Sequence, residues 1–341
     1  MEIDLACWGR DLNSYVANAV AAERAGIRRV WSAELHRSPF VPLAAVATAT
    51  ETIEIGTGIA LAYVRSPMAI ATAALDLDEL SDGRFTLGLG SGVKTLIERH
   101  HDAEFSEPVT RLSDTIAIVR ALMGEMHTGD RIGYEGRTRS LDLRGYRRPH
   151  PPVRGPVPVA VAGVGPRMIG LAGAEADAWI GHELMSPEYL RSVVLPGLHR
   201  GKESAGRDSD PAVIVSASTS IHSDRATAYR RAAATVAFYA SVKTYEPFFA
   251  FHGFEKEAGS IRDLFRAGEH AAMVDVVPNE MVDAVAIAGT PSDLAEKLAP
   301  YRDLADTVKL GPTTYLLTND EVQQSVDAII TSVAALTMEA M

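Results

Sequence analysis

Two glycines and a proline in the stretch Gly163–Arg167 have the residue types and spacing that bind an anion. The stretch follows the apolar run Val157–Ala162 and precedes a helical pattern, which predicts a turn from a strand into a helix. Glycines let a ligand approach the backbone, Pro166 suits the first helical position, and the free amides of a first turn favour a phosphate. The sequence therefore indicates a phosphate site here, with an ordinary strand-to-helix turn as the alternative.

Side chains able to carry protons follow the second and the sixth predicted strands. Glu34 and His36 come after the second strand, and His182 with Glu183 comes after the sixth. Carboxylates and imidazoles at strand ends are suited to general acid and base chemistry. The alternative for each is a solvated loop residue or one that is hydrogen-bonded to backbone. His182 and Glu183 lack the HExxH spacing, so the pair indicates no metal.

A second glycine-rich stretch, Gly88–Gly92, follows the fourth predicted strand. It superficially matches a dinucleotide fingerprint, but its spacing differs and no acidic residue stands at the expected later position, so a Rossmann assignment is weak. In the strand itself, Phe85, Leu87 and Leu89 share one face while Gly88 and Gly90 share the other. We expect the first face to pack on helices and the second to leave room for a ligand.

Strands and helices alternate along the chain and would position these residues. The predicted strands are Ile3–Trp8, Arg28–Ala33, Ile53–Ile59, Phe85–Leu89, Val157–Ala162, Ala176–Gly181, Ala212–Ser220 and Thr307–Leu310. Eight strands alternating with eight helices favour an α/β protein with a (β/α)8 TIM barrel over an open doubly wound sheet.

Two segments interrupt the alternation, and a third is a loop. Thr128–Leu143 has the glycine pairs and alternation of a β-hairpin. Lys243–Val277 is predicted to be irregular, and its aromatic run Tyr245–Phe254 favours core or dimer contacts over a pocket wall. Residues 93–102 predict a loop rich in titratable groups. We therefore expect one barrel domain over residues 1–341 with insertions near 128–150 and 243–277.

Composition excludes several classes of function. The chain has 33 basic and 44 acidic residues, a net charge of −11, and no basic cluster, which argues against nucleic acid or an anionic membrane as a partner. A single cysteine, Cys7, excludes an internal disulfide and a thiolate metal cage. No apolar stretch predicts a signal peptide or a membrane span, so we expect a cytoplasmic protein. Arg65 and Lys94 are candidates to balance an anionic cofactor, with salt bridges as the alternative.

Most of the chain, clearly Ile3 to about Arg207, resembles the bacterial luciferase-like superfamily. Within it, the chain is similar to the deazaflavin-dependent oxidoreductases that include methylenetetrahydromethanopterin reductase. This resemblance implies a (β/α)8 barrel, a flavin-type cofactor across the carboxyl ends of the strands, and usually a homodimer. The strings that carry it are GTGIALAYVRSPMAIATAALDLDELSDGRFTLGLGSGVK, VAVAGVGPRMIGLAGAEADAW and MSPEYLRSVVLPGL.

The resemblance also implies a cofactor site, residue by residue. Gly58 and Ile59 stand where these enzymes have a non-prolyl cis peptide in a bulge that supports the deazaflavin ring. Glu34 stands where relatives often place an aspartate beside the ring, and Leu61 where they often place a threonine or asparagine. The remaining matches are Ser91 and Gly92 at the cofactor and Gly163, Val164, Gly165, Arg167 and Met168 around its phosphate.

Two departures from the family bear on the substrate. The sugar-phosphate dehydrogenase branch has an acid directly after the glycines of the fourth strand, where this chain has Val93. Its histidine after the acid of the second strand is Leu35 here, with His36 one place later. We therefore do not carry over that branch's acid and base, and we expect a substrate other than a sugar phosphate.

Three functions follow from this resemblance. The first is hydride transfer between coenzyme F420, an 8-hydroxy-5-deazaflavin, and a small organic substrate, with Glu34, His36 and His182 as candidate catalytic residues. The second is a monooxygenase that uses reduced FMN and dioxygen on the same barrel. The third is a flavin-binding barrel without catalysis, which the missing acid and base leave open.

Overall fold

Strands and helices alternate along the computed structural model, which describes residues 1–339. The strands in this range are β1 (Glu2–Ala6), β2 (Arg29–Ser32), β3 (Glu54–Thr57), β4 (Ala60–Leu61), β5 (Phe85–Gly90), β6 (Ile132–Glu135), β7 (Ser140–Leu143), β8 (Val159–Ala162), β9 (Ala178–Ile180), β10 (Ala212–Ile221), β11 (Ile287–Gly289) and β12 (Thr307–Pro312).

The α-helices are α1 (Leu12–Arg24), α2 (Val41–Ala49), α3 (Pro67–Leu80), α4 (Lys94–His100), α5 (Pro108–Glu125), α6 (Pro166–Glu175), α7 (Pro187–Tyr189), α8 (Leu195–Ser204), α9 (Arg225–Ser241), α10 (Glu246–Phe251), α11 (Glu255–Ala267), α12 (His270–Asp275), α13 (Asn279–Val285), α14 (Leu294–Leu298) and α15 (Asn319–Glu339). A π-helical segment, Leu190–Val194, joins α7 to α8. Short 3-10 helices cover Lys243–Tyr245, Pro291–Asp293 and Ala299–Tyr301.

The parallel strands form one sheet that closes into a (β/α)8 barrel, and β6 and β7 form a separate antiparallel hairpin. The predicted fold class is confirmed. Each of the eight predicted strands is present, with ends that differ by a few residues. The short strands β4 and β11 were not predicted, because two or three residues are too few for an alternating pattern to be recognised.

The chain divides into two compact units. Unit 1 comprises residues 1–28, 181–195 and, of the described part, 213–339. Unit 2 comprises residues 29–180 and 196–212. The expectation of a single domain over residues 1–341 stays a prediction.

Unit 2 is built on five parallel strands in the order β2, β3, β5, β8 and β9. Its largest fully buried side chains include Trp31, Phe85 and Trp179. Trp31 is opposite Gly56 in the register of β2 and β3. A Cβ atom at Gly56 would lie 2.6 Å from the Trp31 ring, so glycine at this position makes room for the indole. Helices α3 and α5 pack on each other in the same unit.

Unit 1 contains β1, β10, β11 and β12. β12 pairs in parallel with both β1 and β10, and the last residues of β10 pair with β11. Helix α9 packs against α11, α12 and α13 around an apolar cluster. Phe249, Ile261, Met273 and Met281 are fully buried members of that cluster, which gives the helices their common core.

Two expectations about irregular segments were wrong, and one was confirmed. Residues 243–277, predicted to be irregular, are largely helical, because Gly253 and Gly268 with positive φ divide the segment into short helices that each bury an apolar side. Residues 94–100 form α4 and not a loop, with Ile97 as its buried side chain. The hairpin predicted at Thr128–Leu143 is present.

Candidate functional site

A bulge follows β3 in unit 2. The peptide bond between Gly58 and Ile59 is cis, as the family resemblance implies. The Gly58 amide donates to the Ser32 carbonyl oxygen at 2.8 Å, and the Glu34 amide donates to the Ile59 carbonyl oxygen at 3.1 Å. The loop after β2 and the bulge after β3 are thus joined by two backbone hydrogen bonds.

Glu34 stabilises this bulge through its side chain. Its Oε2 accepts the Leu61 amide at 2.8 Å and Nη1 of Arg65 at 2.7 Å, and its Oε1 accepts Nη2 of Arg65. The Glu34 side chain is 8 % exposed, so this ion pair is largely shielded from solvent. The sequence makes Glu34 a catalytic candidate, but these contacts describe a residue that positions the bulge.

Leu61, Ser91 and Gly92 lie together beside the bulge. Leu61 of β4 is opposite Gly90 of β5 in the register and is 3 % exposed. Gly92 has a φ of +64°, and a Cβ atom there would lie 2.7 Å from Leu61 Cδ2. Glycine at position 92 is therefore required by both backbone conformation and space. The Ser91 hydroxyl donates to the Gly92 carbonyl oxygen at 3.1 Å.

The face of β5 that carries Gly88 and Gly90 is filled by protein. A Cβ atom at Gly88 would lie 1.9 Å from the Thr57 carbonyl oxygen, and one at Gly90 would lie 2.4 Å from Ile59 Cδ1. The Thr57 hydroxyl also donates to the Gly88 carbonyl oxygen at 2.8 Å. Our expectation that this face leaves room for a ligand was wrong, because the small residues allow close approach of the neighbouring strand and bulge.

The turn from β8 into α6 combines one tightly packed glycine with one open glycine. A Cβ atom at Gly163 would lie 2.9 Å from the Met168 backbone, whereas at Gly165 it would meet none of the described atoms within 4 Å. Gly165 is the N-cap of α6, and Pro166 occupies the first turn as the sequence indicates. Arg167 is exposed, and its amide is in the first turn, where an N–H group lacks a helical acceptor. The Met168 amide, by contrast, donates to the Gly165 carbonyl oxygen at 3.0 Å. The open side of this turn is therefore suited to an anion.

The remaining candidates on loops of unit 2 have simpler surroundings. His36 is exposed, as is Leu35 before it, and the side chain of Val93 is 54 % exposed. Lys94, proposed to balance an anionic cofactor, lies 3.7 Å from Glu98 in an exposed pair. The salt-bridge alternative thus describes Lys94 as well as Arg65.

His182, in unit 1, is surrounded by two tyrosines. Its Nε2 is 2.8 Å from the Tyr245 hydroxyl, and its ring lies at 4.5 Å from the Tyr239 ring in an edge-to-face arrangement. Burial lowers the pKa of His182 to about 3, and the nearby charge of Lys309 contributes to the lowering. The imidazole is consequently neutral at physiological pH, where it can exchange hydrogen bonds but is only a weak base.

Ionisable side chains extend from His182 into the strands of unit 1. The Tyr239 hydroxyl donates to Glu183 Oε2 at 2.9 Å, and burial followed by the charge of Glu183 raises the pKa of Tyr239. Lys309 of β12 is 6 % exposed and is opposite Asp4 in the register of β1. Burial lowers the pKa of Lys309, while the carboxylates of Glu183 and Asp4 oppose that lowering.

Sequence reasoning missed four members of this cluster: Asp4, Tyr239, Tyr245 and Lys309. Lys309 carried a signal, because it stands between Val308 and Leu310 in a predicted barrel strand where a charge requires a partner. The tyrosines carried none, since Tyr239 ends a helix pattern and Tyr245 was assigned with its aromatic neighbours to core or dimer contacts.

Metal-binding clusters and membrane-spanning helices are both absent from the described chain. Within residues 1–339, no three histidine, cysteine, aspartate or glutamate side chains are grouped so that they could bind a metal ion. Over the same range, no helix combines the length and the apolar character that crossing a membrane requires.

The fold and the bulge define the class of protein. The sequence model of the luciferase-like monooxygenase family matches residues 7–307, which is most of the chain. The chain therefore belongs to the luciferase-like monooxygenase family.

Relatives in sequence include both an uncharacterized protein and named enzymes. An uncharacterized protein of Mycobacterium tuberculosis is 33 % identical over 286 residues, which are 82 % of this chain and 84 % of the relative. A putative coenzyme F420-dependent oxidoreductase of the same organism is 28 % identical over 88 % of this chain and 90 % of the relative. The 5,10-methylenetetrahydromethanopterin reductase of Archaeoglobus fulgidus is 27 % identical over 81 % of this chain and 82 % of the relative.

Solved structures share the fold. The coenzyme F420-dependent tetrahydromethanopterin reductase of Methanopyrus kandleri superimposes with a TM-score of 0.81 at 21 % identity, over 97 % of this chain and 98 % of that one. A type II Baeyer–Villiger monooxygenase of Pseudomonas putida in complex with FMN gives a TM-score of 0.69 at 18 % identity, over 98 % of both chains. At these identities the likeness describes the barrel alone.

Proposed function

We propose that this protein is an F420-dependent oxidoreductase that transfers a hydride between the deazaflavin and a small organic substrate. The observation that carries the proposal is the bulge of unit 2, in which Glu34 and Arg65 fix the segment that follows Gly58 and Ile59. Sequence relatives named as F420-dependent oxidoreductase and as methylenetetrahydromethanopterin reductase support the choice of cofactor.

The described residues fit such a cofactor at two places. Gly165 faces open space at the N-terminus of α6, so a phosphate can approach the Arg167 amide without displacing a side chain. We propose that the ring binds at the bulge and that the phosphate binds at the turn. The contacts would come from Gly58, Ile59, Leu61, Ser91 and Gly92 at the ring, and from Gly163, Val164, Gly165, Arg167 and Met168 at the phosphate.

The bound deazaflavin would supply the hydride chemistry, and the protein supplies position and proton control. Glu34 positions the bulge through the Leu61 amide and Arg65. His182 remains our candidate to pass on a proton, because its Nε2 is 2.8 Å from the Tyr245 hydroxyl and the two groups can act as a relay. With a pKa of about 3, the imidazole does not hold that proton at neutral pH. His36, which is exposed, stays a weaker candidate for the same proton transfer.

A monooxygenase using reduced FMN is the second candidate. It is favoured by the FMN complex that shares the fold over nearly the whole chain. Two further expectations stay predictions: a homodimer, which the family resemblance implies, and a cytoplasmic location. Analytical ultracentrifugation tests the dimer, and fractionation of the producing cells tests the location.

Spectral titration of the purified protein with F420 and, separately, with FMN tests the proposal. Saturable F420 binding, followed by reduction or oxidation of the bound cofactor by candidate organic substrates, is expected. Tight FMN binding with oxygen consumption and no F420 binding would contradict it in favour of the second candidate. Binding of either cofactor without any turnover across a substrate panel would favour a barrel without catalysis.

A further inference from the structure

Two arginines of unit 2 lie beside one buried tyrosine. Arg111, on α5, places its guanidinium carbon 5.2 Å from the centre of the Tyr63 ring. Arg139, from the end of the hairpin turn, donates through Nη2 to the Ala62 carbonyl oxygen at 3.3 Å, one residue before that tyrosine. Burial lowers the pKa of Arg139, and the charge of the neighbouring Arg111 contributes to the lowering.

The surrounding carboxylates leave this pair with an excess of positive charge. Asp114 is committed to the hairpin turn: it accepts the Thr138 amide at 2.7 Å, the Thr138 hydroxyl, the Arg139 amide at 3.2 Å and the Tyr134 hydroxyl at 2.8 Å. The Glu104 carboxylate lies 3.9 Å from Arg111 Nη1, but this side chain is 74 % exposed, so the ion pair contributes little. The same Nη1 donates to the Glu104 carbonyl oxygen at 2.8 Å, which leaves the charge in place. The two guanidinium groups are therefore only partly neutralised by their neighbours.

Arg139 also has an unused donor. Its Nε is buried and has no hydrogen-bond acceptor among the described residues, and the contact of its Nη2 with Ala62 is long. Buried donors in folded proteins are nearly always paired. A planar guanidinium whose Nε lacks an acceptor is suited to bind a carboxylate or phosphate oxygen.

The arginine pair adjoins the bulge. Ala62 directly follows Leu61, whose amide Glu34 accepts, and the Ala62 amide donates to the Gly90 carbonyl oxygen at 3.0 Å. Tyr63 is 4 % exposed and packs edge-to-face with Phe105 at 5.7 Å, which adds an apolar side to the cationic one.

We propose that Arg111 and Arg139 bind an oxyanion group of the substrate, so that the substrate class is small organic acids, with a carboxylate as the recognised group. This inference rests on the proposed function, because it names the substrate class of the proposed enzyme. The hairpin insertion β6–β7 then contributes to substrate recognition, because its turn carries Arg139.

Calorimetric titration with benzoate tests the proposal, because benzoate combines a carboxylate with an apolar ring. The variants R139Q and R111Q are expected to bind benzoate at least tenfold more weakly than the unchanged protein. R139K, which keeps the cation but loses the planar fork, is expected to fall between R139Q and the unchanged protein. R137Q is the matched control, because Arg137 is in the same turn, is 74 % exposed and pairs with Glu107; it should bind benzoate within twofold of the unchanged protein.

Several outcomes would overturn the assignment. They are an absence of benzoate binding to the unchanged protein, an equal loss in R137Q, and unaltered binding in both R139Q and R111Q. Circular dichroism checks that each variant is folded, and R111Q carries the test if R139Q is not. Methyl phosphate titrated into the same proteins shows whether the pair prefers phosphate; preference for phosphate by tenfold or more would overturn the choice of a carboxylate.

Titration in the presence of saturating F420 separates this inference from the proposed function. Benzoate binding that persists with the cofactor bound supports a substrate site. Benzoate binding that F420 abolishes would assign the arginines to the cofactor and overturn the substrate assignment. If F420 does not bind at all, the proposed function fails, while the titration of benzoate alone still decides whether the arginine pair binds an oxyanion.

Discussion

The Glu34 carboxylate accepts both terminal nitrogens of the Arg65 guanidinium, one on each oxygen, and also the Leu61 amide. The Arg65 guanidinium in turn lies 5.4 Å from the centre of the Phe40 ring. An acid that family resemblance assigns to the ring of a cofactor thus also fixes the backbone on which that ring would rest.

Replacing this carboxylate should cost stability. In Glu34→Gln the ion pair is lost while the shape of the side chain is kept. We expect the free energy of unfolding to fall by about 1–3 kcal/mol, the range for a largely buried polar group, here the Arg65 guanidinium, that loses its partner. Urea unfolding measures the difference. Glu98→Gln is the control, because Glu98 pairs with Lys94 in an exposed position and its loss should change stability by less than about 0.5 kcal/mol. An equal effect of both substitutions would contradict the role of Glu34.

Substitutions at the two glycines of the turn before α6 should change stability in opposite directions. Gly165→Asp meets open space and supplies an N-cap oxygen, so stability should rise slightly, by about 0.5 kcal/mol, while F420 affinity falls at least tenfold through charge repulsion. A methyl group at Gly163 contacts the Met168 backbone, so Gly163→Ala should lose about 1–3 kcal/mol of stability. Thermal unfolding and spectral titration measure the two effects. Unchanged F420 affinity in Gly165→Asp would contradict the proposed phosphate site.

Stability should fall on acidification because of His182. The pKa of this imidazole is about 3 in the folded protein against the ordinary 6.5, so between these values the unfolded chain binds the extra proton. The free energy of unfolding therefore decreases as the pH is lowered from 6.5 towards 3. His182→Gln should flatten this dependence. Urea denaturation at a series of pH values measures this dependence. Parallel plots of unfolding free energy against pH for His182→Gln and the unchanged protein would contradict the role of His182.

Turnover should depend on His182 more than cofactor affinity does. We expect His182→Ala to lower kcat by about a hundredfold or more, as for the loss of a proton-transfer group, with little change in the Kd of F420. Tyr245→Phe, which removes the hydroxyl 2.8 Å from Nε2, should lower kcat by less. Steady-state kinetics and spectral titration test both variants. Equal losses of turnover and affinity would make His182 a binding residue.

The glycines of β5 should be intolerant of a side chain. Gly88→Ala places a methyl group 1.9 Å from the Thr57 carbonyl oxygen, which is backbone and cannot move aside, so we expect at least about 3 kcal/mol of destabilisation or failure to fold. A Cβ atom at Gly124 in α5 would meet none of the described atoms within 4 Å, and Gly124→Ala should gain about 0.5–1 kcal/mol. Soluble yield and urea unfolding compare the pair. A stable Gly88→Ala protein would mean that β3 and β5 can separate.

Sequence reasoning predicted the barrel because its eight strands carry strong alternating or β-branched runs. It predicted the turn at Gly165 because glycine and proline indicate backbone conformation directly: glycine favours a turn, and proline favours the first position of a helix. It failed at Gly88 and Gly90, because a glycine that admits a ligand and one that admits another strand look identical in a sequence. The missed residues Tyr239 and Lys309 meet Glu183 only through the fold, over separations of 56 and 126 positions.

Asp114 shows how this barrel can diversify. Two of its four hydrogen bonds to the hairpin turn come from main-chain amides, at positions 138 and 139. Any residue except proline provides such an amide, so the side chains at positions 138 and 139 can change while the two main-chain hydrogen bonds to Asp114 persist. Substitutions in this one turn could therefore change which substrate the protein prefers. The rest of the barrel would keep its sequence and its packing.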